Sequence, residues 1–369
     1  ALPIYQAPEV GRALVDLALA DLGPAELHLL QALRRTGVTK RDGLMGTVEW
    51  KASKDWTSTL DMFFSKATQE DTANQLESHL FYNGDYPCNP ACNWSQTSVN
   101  SNNTLTGGNI TSVYPLVRGM YNKREDEIHA IGWNNMFNVG AAEVTADVSW
   151  SQATRDELNL ENNTQLAPAP QLDSIDLDFN SGGFSQLNPG LDYSNPAQLF
   201  LRNTIYGSGY GKTPKVDDEL LGVRVSATMA APDAVSDAFS NFEFGFNYAD
   251  REKDKRQPEG NINVGAQGDT AIADDLQYGL VDLGFAGVGL IPSWNVPGAV
   301  DRYMIFEPNE NAPYLVAKAW TVNEEIGTAY FKAHIDSDWG SVPVRGNIGV
   351  QVQRTDQSSS ANVYDHSRP

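Results

Sequence analysis

The sequence predicts an all-β fold: an antiparallel, up-and-down transmembrane β-barrel segment of about eight long strands, with long loops and a short helical N-terminal stretch. Three observations carry this prediction. Hydrophobicity alternates with period two in four pairs of segments. In "NFEFGFNYAD" (241–250), for example, Phe242, Phe244, Phe246 and Tyr248 share one face and Asn241, Glu243, Gly245 and Asn247 the other. Links within a pair are short, whereas links between pairs are long. No run approaches the ~20 apolar residues of a membrane-spanning helix, which leaves closed sheets as the spanning alternative. A soluble β-sandwich, with one wet face on each sheet, is the competing all-β reading.

Residues 1–40 stand apart as a helical segment or loop insertion. Val10, Leu14 and Leu17, then Leu27, Leu30 and Leu33, have helical spacing, with Gly23-Pro24 as a break and Gly37 as a stop. Residues 41–369 carry the strand pattern. In the first hairpin Leu44, Gly46, Val48 and Trp50 oppose Met45, Thr47, Glu49 and Lys51; Trp56, Leu60, Met62 and Phe64 follow after a polar turn. The second joins Ile131, Trp133, Phe137 and Val139, with Asn135 as a blemish, to Val144, Ala146, Val148 and Trp150. The third joins Leu221, Val223, Val225, Ala227 and Met229 to the aromatic stretch at 241–250. The fourth ends in Ile348, Val350 and Val352.

Between hairpins lie the connections 68–122, 159–216 and 255–321, rich in Asn, Gly, Ser, Pro and Asp. Structureless loops of that length are uncommon in compact soluble domains, whereas short turns on one side and long loops on the other suit an outer-membrane barrel. Alternation over about nine or more residues is also long for a soluble strand. In this reading Glu49, Asp61, Asp147, Arg224, Glu243 and Arg345 face a hydrated lumen, and lipid is the partner of the other face.

Two stretches resemble a known family. "RDGLMGTVEWKASKDWTSTLDMFFSK" (41–66) resembles the early barrel hairpins of TonB-dependent outer-membrane receptors, and "WTVNEEIGTAYFKAHIDSDWGSVPVRGNIGVQVQRTDQSSS" (320–360) is similar to the same group in Xanthomonas- and Caulobacter-like bacteria. The resemblance implies a bacterial outer-membrane location and a barrel of about 22 strands around an N-terminal plug. It also implies active import of a scarce nutrient, often a plant oligosaccharide, with energy delivered through the TonB complex. No plug, TonB-contacting motif or terminal aromatic strand is found in the sequence. The expectation is therefore a partial barrel whose TonB contact lies in a region outside it. A secreted glycan-binding β-protein and a non-functional barrel fragment are the alternatives.

The formal net charge of −21 sets nucleic acid aside as a partner. Cys88 and Cys92 in "YPCNPACNW" have spacing that suits a small disulfide-closed turn, with free thiols as the alternative. His28, His79, His129, His334 and His366 are scattered, and no nucleophile elbow, HExxH or P-loop is present, so no enzyme is expected. "YGSGYGK" (206–212) lacks phosphate-loop spacing and reads as a loop tip. Asp173, Asp176 and Asp178 offer hard oxygen ligands for calcium, against the plainer reading of a solvated acidic loop. The loop aromatics Trp94, Tyr193, Tyr206, Tyr210 and Trp294 are candidate solute-binding rings, against the alternative that they pack the loops together.

Overall fold

The computed structural model describes residues 12–14, 29–79, 94–167, 171–179, 183–204 and 206–365. Eight long strands dominate: β1 (Leu29–Ser53), β2 (Trp56–His79), β3 (Leu105–Val139), β4 (Ala142–Leu166), β5 (Lys215–Ala230), β6 (Phe239–Arg256), β7 (Trp320–Trp339) and β8 (Val342–Ala361). They pair antiparallel in chain order, β1 to β8. The fold is thus all-β and antiparallel, and no helix among the described residues is long and apolar enough to cross a membrane. Among those residues no ladder joins β8 to β1, so the sheet is open. Only Arg12–Leu14 lies against the free margin of β1, opposite Leu33–Arg35.

Register decides which side chains share a face. Following the ladders, Trp56 aligns with Phe137, Val144, Ala227, Phe244, Phe331 and Val350; the next row holds Trp50, Ser58, Asn135, Ala146, Val225, Phe246, Ala329 and Val352. All four hairpins therefore direct their apolar residues to one side, forming a continuous belt. The belt is uncovered: Leu44 is 72% exposed, Trp50 59% and Val352 69%. It also runs obliquely. The row through Leu44 reaches Ser358 on β8, whereas the last apolar belt residue there is Val352. A drift of about six residues over seven strand steps, at ~3.4 Å per residue and ~4.8 Å per step, is a slope of ~30°.

Beyond the belt the same face turns charged. Lys66 pairs with Glu127, Lys123 lies 2.6 Å from Glu125, and Lys215 lies 2.9 Å from Asp156. Farther still, that face is covered. Leu30, Leu76, Val117 and Leu160 keep the belt's parity on their strands and are buried beneath the connections, in a core with Ile110, Ile175, Leu187, Leu201, Ile291 and Trp294. Among the described residues one α-helix, α1 (Val296–Tyr303), sits in this layer, with Asn295 capping the Gly298 amide at 3.0 Å. Gly119 on β3 lies under Trp294; a Cβ there would come within 2.6 Å of the indole.

Two expectations are corrected. The helix expected to end at Gly37 is a strand from Leu29 onward, pairing Leu29 with His79 through Gly37 with Asp71. Arg12–Leu14 is extended too, and the rest of 1–28 lies outside the described residues. The Leu30/Leu33 spacing resembled a helical face, but ladder bonds to β2 and burial of Leu30 and Ala32 override it. The connections are also shorter than expected, because β2 continues to His79, β3 begins at Leu105 and β4 runs to Leu166.

Candidate functional site

The face opposite the belt holds the polar residues of the alternating stretches. Asp61 accepts from Thr47 Oγ1, and Asp147 accepts from Asn134 Nδ2 at 2.7 Å. Glu243 is the hub of a denser group. It accepts from the Tyr330 hydroxyl at 2.7 Å, pairs with Lys332, and has His334 at 3.5 Å and Arg224 at 3.9 Å. Arg345 pairs with Asp336 at 2.7 Å, and Glu49 has Lys51 at 3.5 Å. Glu49, Asp61, Asp147, Arg224, Glu243 and Arg345 therefore share one face, where the strand period puts them.

On this face lies a groove of about 500 Å³ crossing β3 to β7. Its floor is mostly aliphatic: Ile128, Ala153, Leu220, Ala249 and Ile326, with Ser151 among them. Its rim carries Asp218, Arg251 and Glu324. Arg251 donates to Asp218 through Nε at 2.8 Å and Nη2 at 2.6 Å, and Lys253 stands 3.2 Å from the same carboxylate. The Arg251 hydrogen bonds hold the Asp218 carboxyl below its ordinary pKa against the opposing effect of burial. Glu324 is the direct cross-strand neighbour of Arg251. None of these groove residues stood out in the sequence. The one signal was the doubled "LL" at Leu220–Leu221, which puts an aliphatic side chain on each face of β5.

A second cluster sits at the far end of the same face. Glu77, 3% exposed, accepts from Gln75 Nε2 at 2.6 Å and Arg118 at 3.0 Å, with His79 Nε2 at 2.6 Å. Burial pushes the Glu77 carboxyl up, but these partners outweigh it and hold it below its ordinary range. Arg118 Nε donates to Asn163 at 2.9 Å, and Asn163 Nδ2 to the Gly207 carbonyl at 3.0 Å. Tyr206 stacks on His79 with centroids 3.6 Å apart, and its ring is 43% exposed.

The five candidate rings divide. Trp294 is 1% exposed and donates Nε1 to Asn162 Oδ1 at 2.8 Å; Tyr193 is 3% exposed and donates to Asp173 at 2.7 Å. Both are spent on packing the loop layer and present no open ring face, a correction to their assignment as solute-binding residues. Trp94 is half-buried against Gly108, and Tyr210 is half-buried with its hydroxyl on Glu259 at 2.7 Å. Tyr206 keeps the most accessible ring.

The proposed calcium ligands do not converge. Asp173, Ser174, Ile175, Asp176, Leu177 and Asp178 form a strand in which Asp173 faces inward with Ile175 and Leu177, while Asp176 and Asp178 face out. The Asp173 oxygens are occupied by the Ser174 and Gly190 amides at 2.6 and 3.0 Å and by Tyr193. No group of three metal-ligating side chains occurs among the described residues. Cys88 and Cys92 lie outside them. No protein-family model and no curated protein matches the chain.

Proposed function

We propose that this chain is a section of the wall of an outer-membrane β-barrel that imports a small nutrient, of the TonB-dependent kind its first and last hairpins resemble. The observation that carries this reading is the uncovered apolar belt, continuous over eight strands and oblique to them. Tilted strands crossing a flat hydrocarbon slab leave such a band, because the slab's edge cuts each strand at a different residue. A charged girdle separates the belt from the packed loop core, so the belt is not the frayed margin of that core.

Polar groups on the belt also suit hydrocarbon. Trp56 Nε1 donates to Asn135 at 3.2 Å, Trp133 to Ser58 at 2.8 Å and Trp150 to Glu219 at 2.7 Å. These three of the belt's four indoles have their donors satisfied within the sheet, and Asn135, the blemish in the pattern, serves one of them. The opposite, ion-paired face would line the passage. The role is transport rather than catalysis. The sugar reading now rests on Trp94, Tyr206 and Tyr210, and the solute class is argued from the groove below.

Depth-dependent quenching tests the proposal. The chain is folded into vesicles of lipids brominated on the acyl chain, in variants retaining one tryptophan. Trp133, 52% exposed on the belt, is expected to be quenched, and Trp294 in the loop core is not. An unquenched Trp133 in a chain folded without lipid would favour a soluble glycan-binding protein.

A further inference from the structure

We infer that the groove across β3 to β7 is a binding site for a zwitterionic solute with a hydrocarbon side chain, such as an apolar amino acid or short peptide. This deepens the transport reading and rests on it, since the groove faces a passage only if the belt faces lipid. Three observations point the same way.

The first is position. Each groove residue lies just past the last belt residue of its strand: Ile128 past Ile131, Ala153 past Trp150, Leu220 past Leu221, Ala249 past Tyr248 and Ile326 past Ala329. The groove therefore follows the oblique upper edge of the belt. In a tilted barrel it becomes a level shelf at the mouth of the passage on the loop side. The second is composition. This face carries exposed apolar residues nearer the turns as well (Met45, Phe63, Met136), but only here do five aliphatic side chains gather in a groove under a charged rim, which suits an apolar occupant. The volume of about 500 Å³ lies within the ~300–1,000 Å³ range of small-molecule sites.

The third is charge. The rim sets Arg251 and Glu324 side by side, with Asp218 held by Arg251 and Lys253, so both signs of charge are present and suit a solute with separated charges. Asp218 engages Nε and Nη2 of Arg251, which fixes the guanidinium plane and leaves Nη1 for a carboxylate. Glu324, directly across the ladder, supplies the acceptor for an ammonium. Arg251 and Glu324 thus match the two ends of an amino acid or short peptide, with its side chain on Leu220 and Ile326. No aromatic ring lines the groove, so stacking on a sugar is not what it offers.

Titration calorimetry on the chain folded in vesicles tests this with three probes: leucyl-alanine, its N-acetylated form and its C-terminal amide. Saturable binding of the free dipeptide is expected, weakened roughly 10- to 100-fold by blocking either end, as for loss of a charged hydrogen bond. Glu324→Gln is expected to abolish the discrimination against the acetylated form while leaving that against the amide. Equal affinity for all three probes, or no saturable binding, overturns the proposal. If Trp133 is quenched in the same preparation, the groove assignment alone has failed. If Trp133 is unquenched, the transport reading has failed and the groove assignment falls with it.

Discussion

Phe246 sits near the middle of the belt on β6, 49% exposed, with Val225 and Ala329 as cross-strand neighbours. Replacing it with arginine asks what solvent the belt meets. In water the cost is small, because a half-exposed side chain on an uncovered face loses few contacts; such changes fall within ~0.5 kcal/mol. Near a bilayer midplane the guanidinium must be desolvated or must drag water and headgroups inward, at ~2–4 kcal/mol. That is about 30- to 900-fold in the folding equilibrium. The control is Gln351→Arg, exposed on the opposite face of β8, with an expected cost below ~0.5 kcal/mol. Denaturant titration of the chain in lipid vesicles, followed by heat-dependent gel mobility, reads both. Equal costs for Phe246→Arg and Gln351→Arg would refute the assignment of the belt to hydrocarbon.

Further outcomes follow from the loop layer. Gly119→Ala drives a methyl into the Trp294 indole and is expected to cost ~1–3 kcal/mol, read as a lower melting midpoint of the near-ultraviolet tryptophan signal. Asp173→Ala takes the acceptor from the buried Tyr193 hydroxyl and from the Ser174 amide, while the Gly190 amide keeps the Ser174 carbonyl; a loss of ~1–3 kcal/mol is expected, and a calcium chelator leaves the parent's melting midpoint unchanged. Glu77 has a depressed carboxyl pKa, so its contribution is complete above the unfolded value of ~4.3 and is lost as pH falls through the folded value. Acidification below about pH 4 should therefore loosen the far end of β2, seen as faster amide exchange around Ser78, and Glu77→Gln should remove that dependence.

Legibility in the sequence tracked how many environments each strand touches. Near the turns one face is apolar and the other polar, so period two shows plainly, and the four hairpins of Trp50, Trp150, Phe244 and Val350 could be read directly. At the far ends both faces are covered, one by the loop core and the other by hydrogen-bonded polar residues. There Gln75, Glu77, Asn163 and Gln165 are as buried as Leu76, so hydrophobicity no longer marks the fold. The same loss of contrast made Leu29–Gly37 resemble a helix and Trp294 an open platform. The groove was hidden differently. Ile128, Leu220 and Ile326 lie far apart in sequence and meet only through registers that no single segment encodes.

The margin of β8, and that of β1 beyond its pairing with Arg12–Leu14, have a consequence for this stretch of chain in water. An even number of alternating strands leaves the first and last running in opposite directions. The trailing border of one copy thus meets the leading border of the next in the proper antiparallel sense, with no rearrangement needed. Nothing in that arrangement stops at two copies. Away from lipid, such ribbons are expected to lengthen end to end into insoluble filaments as concentration rises.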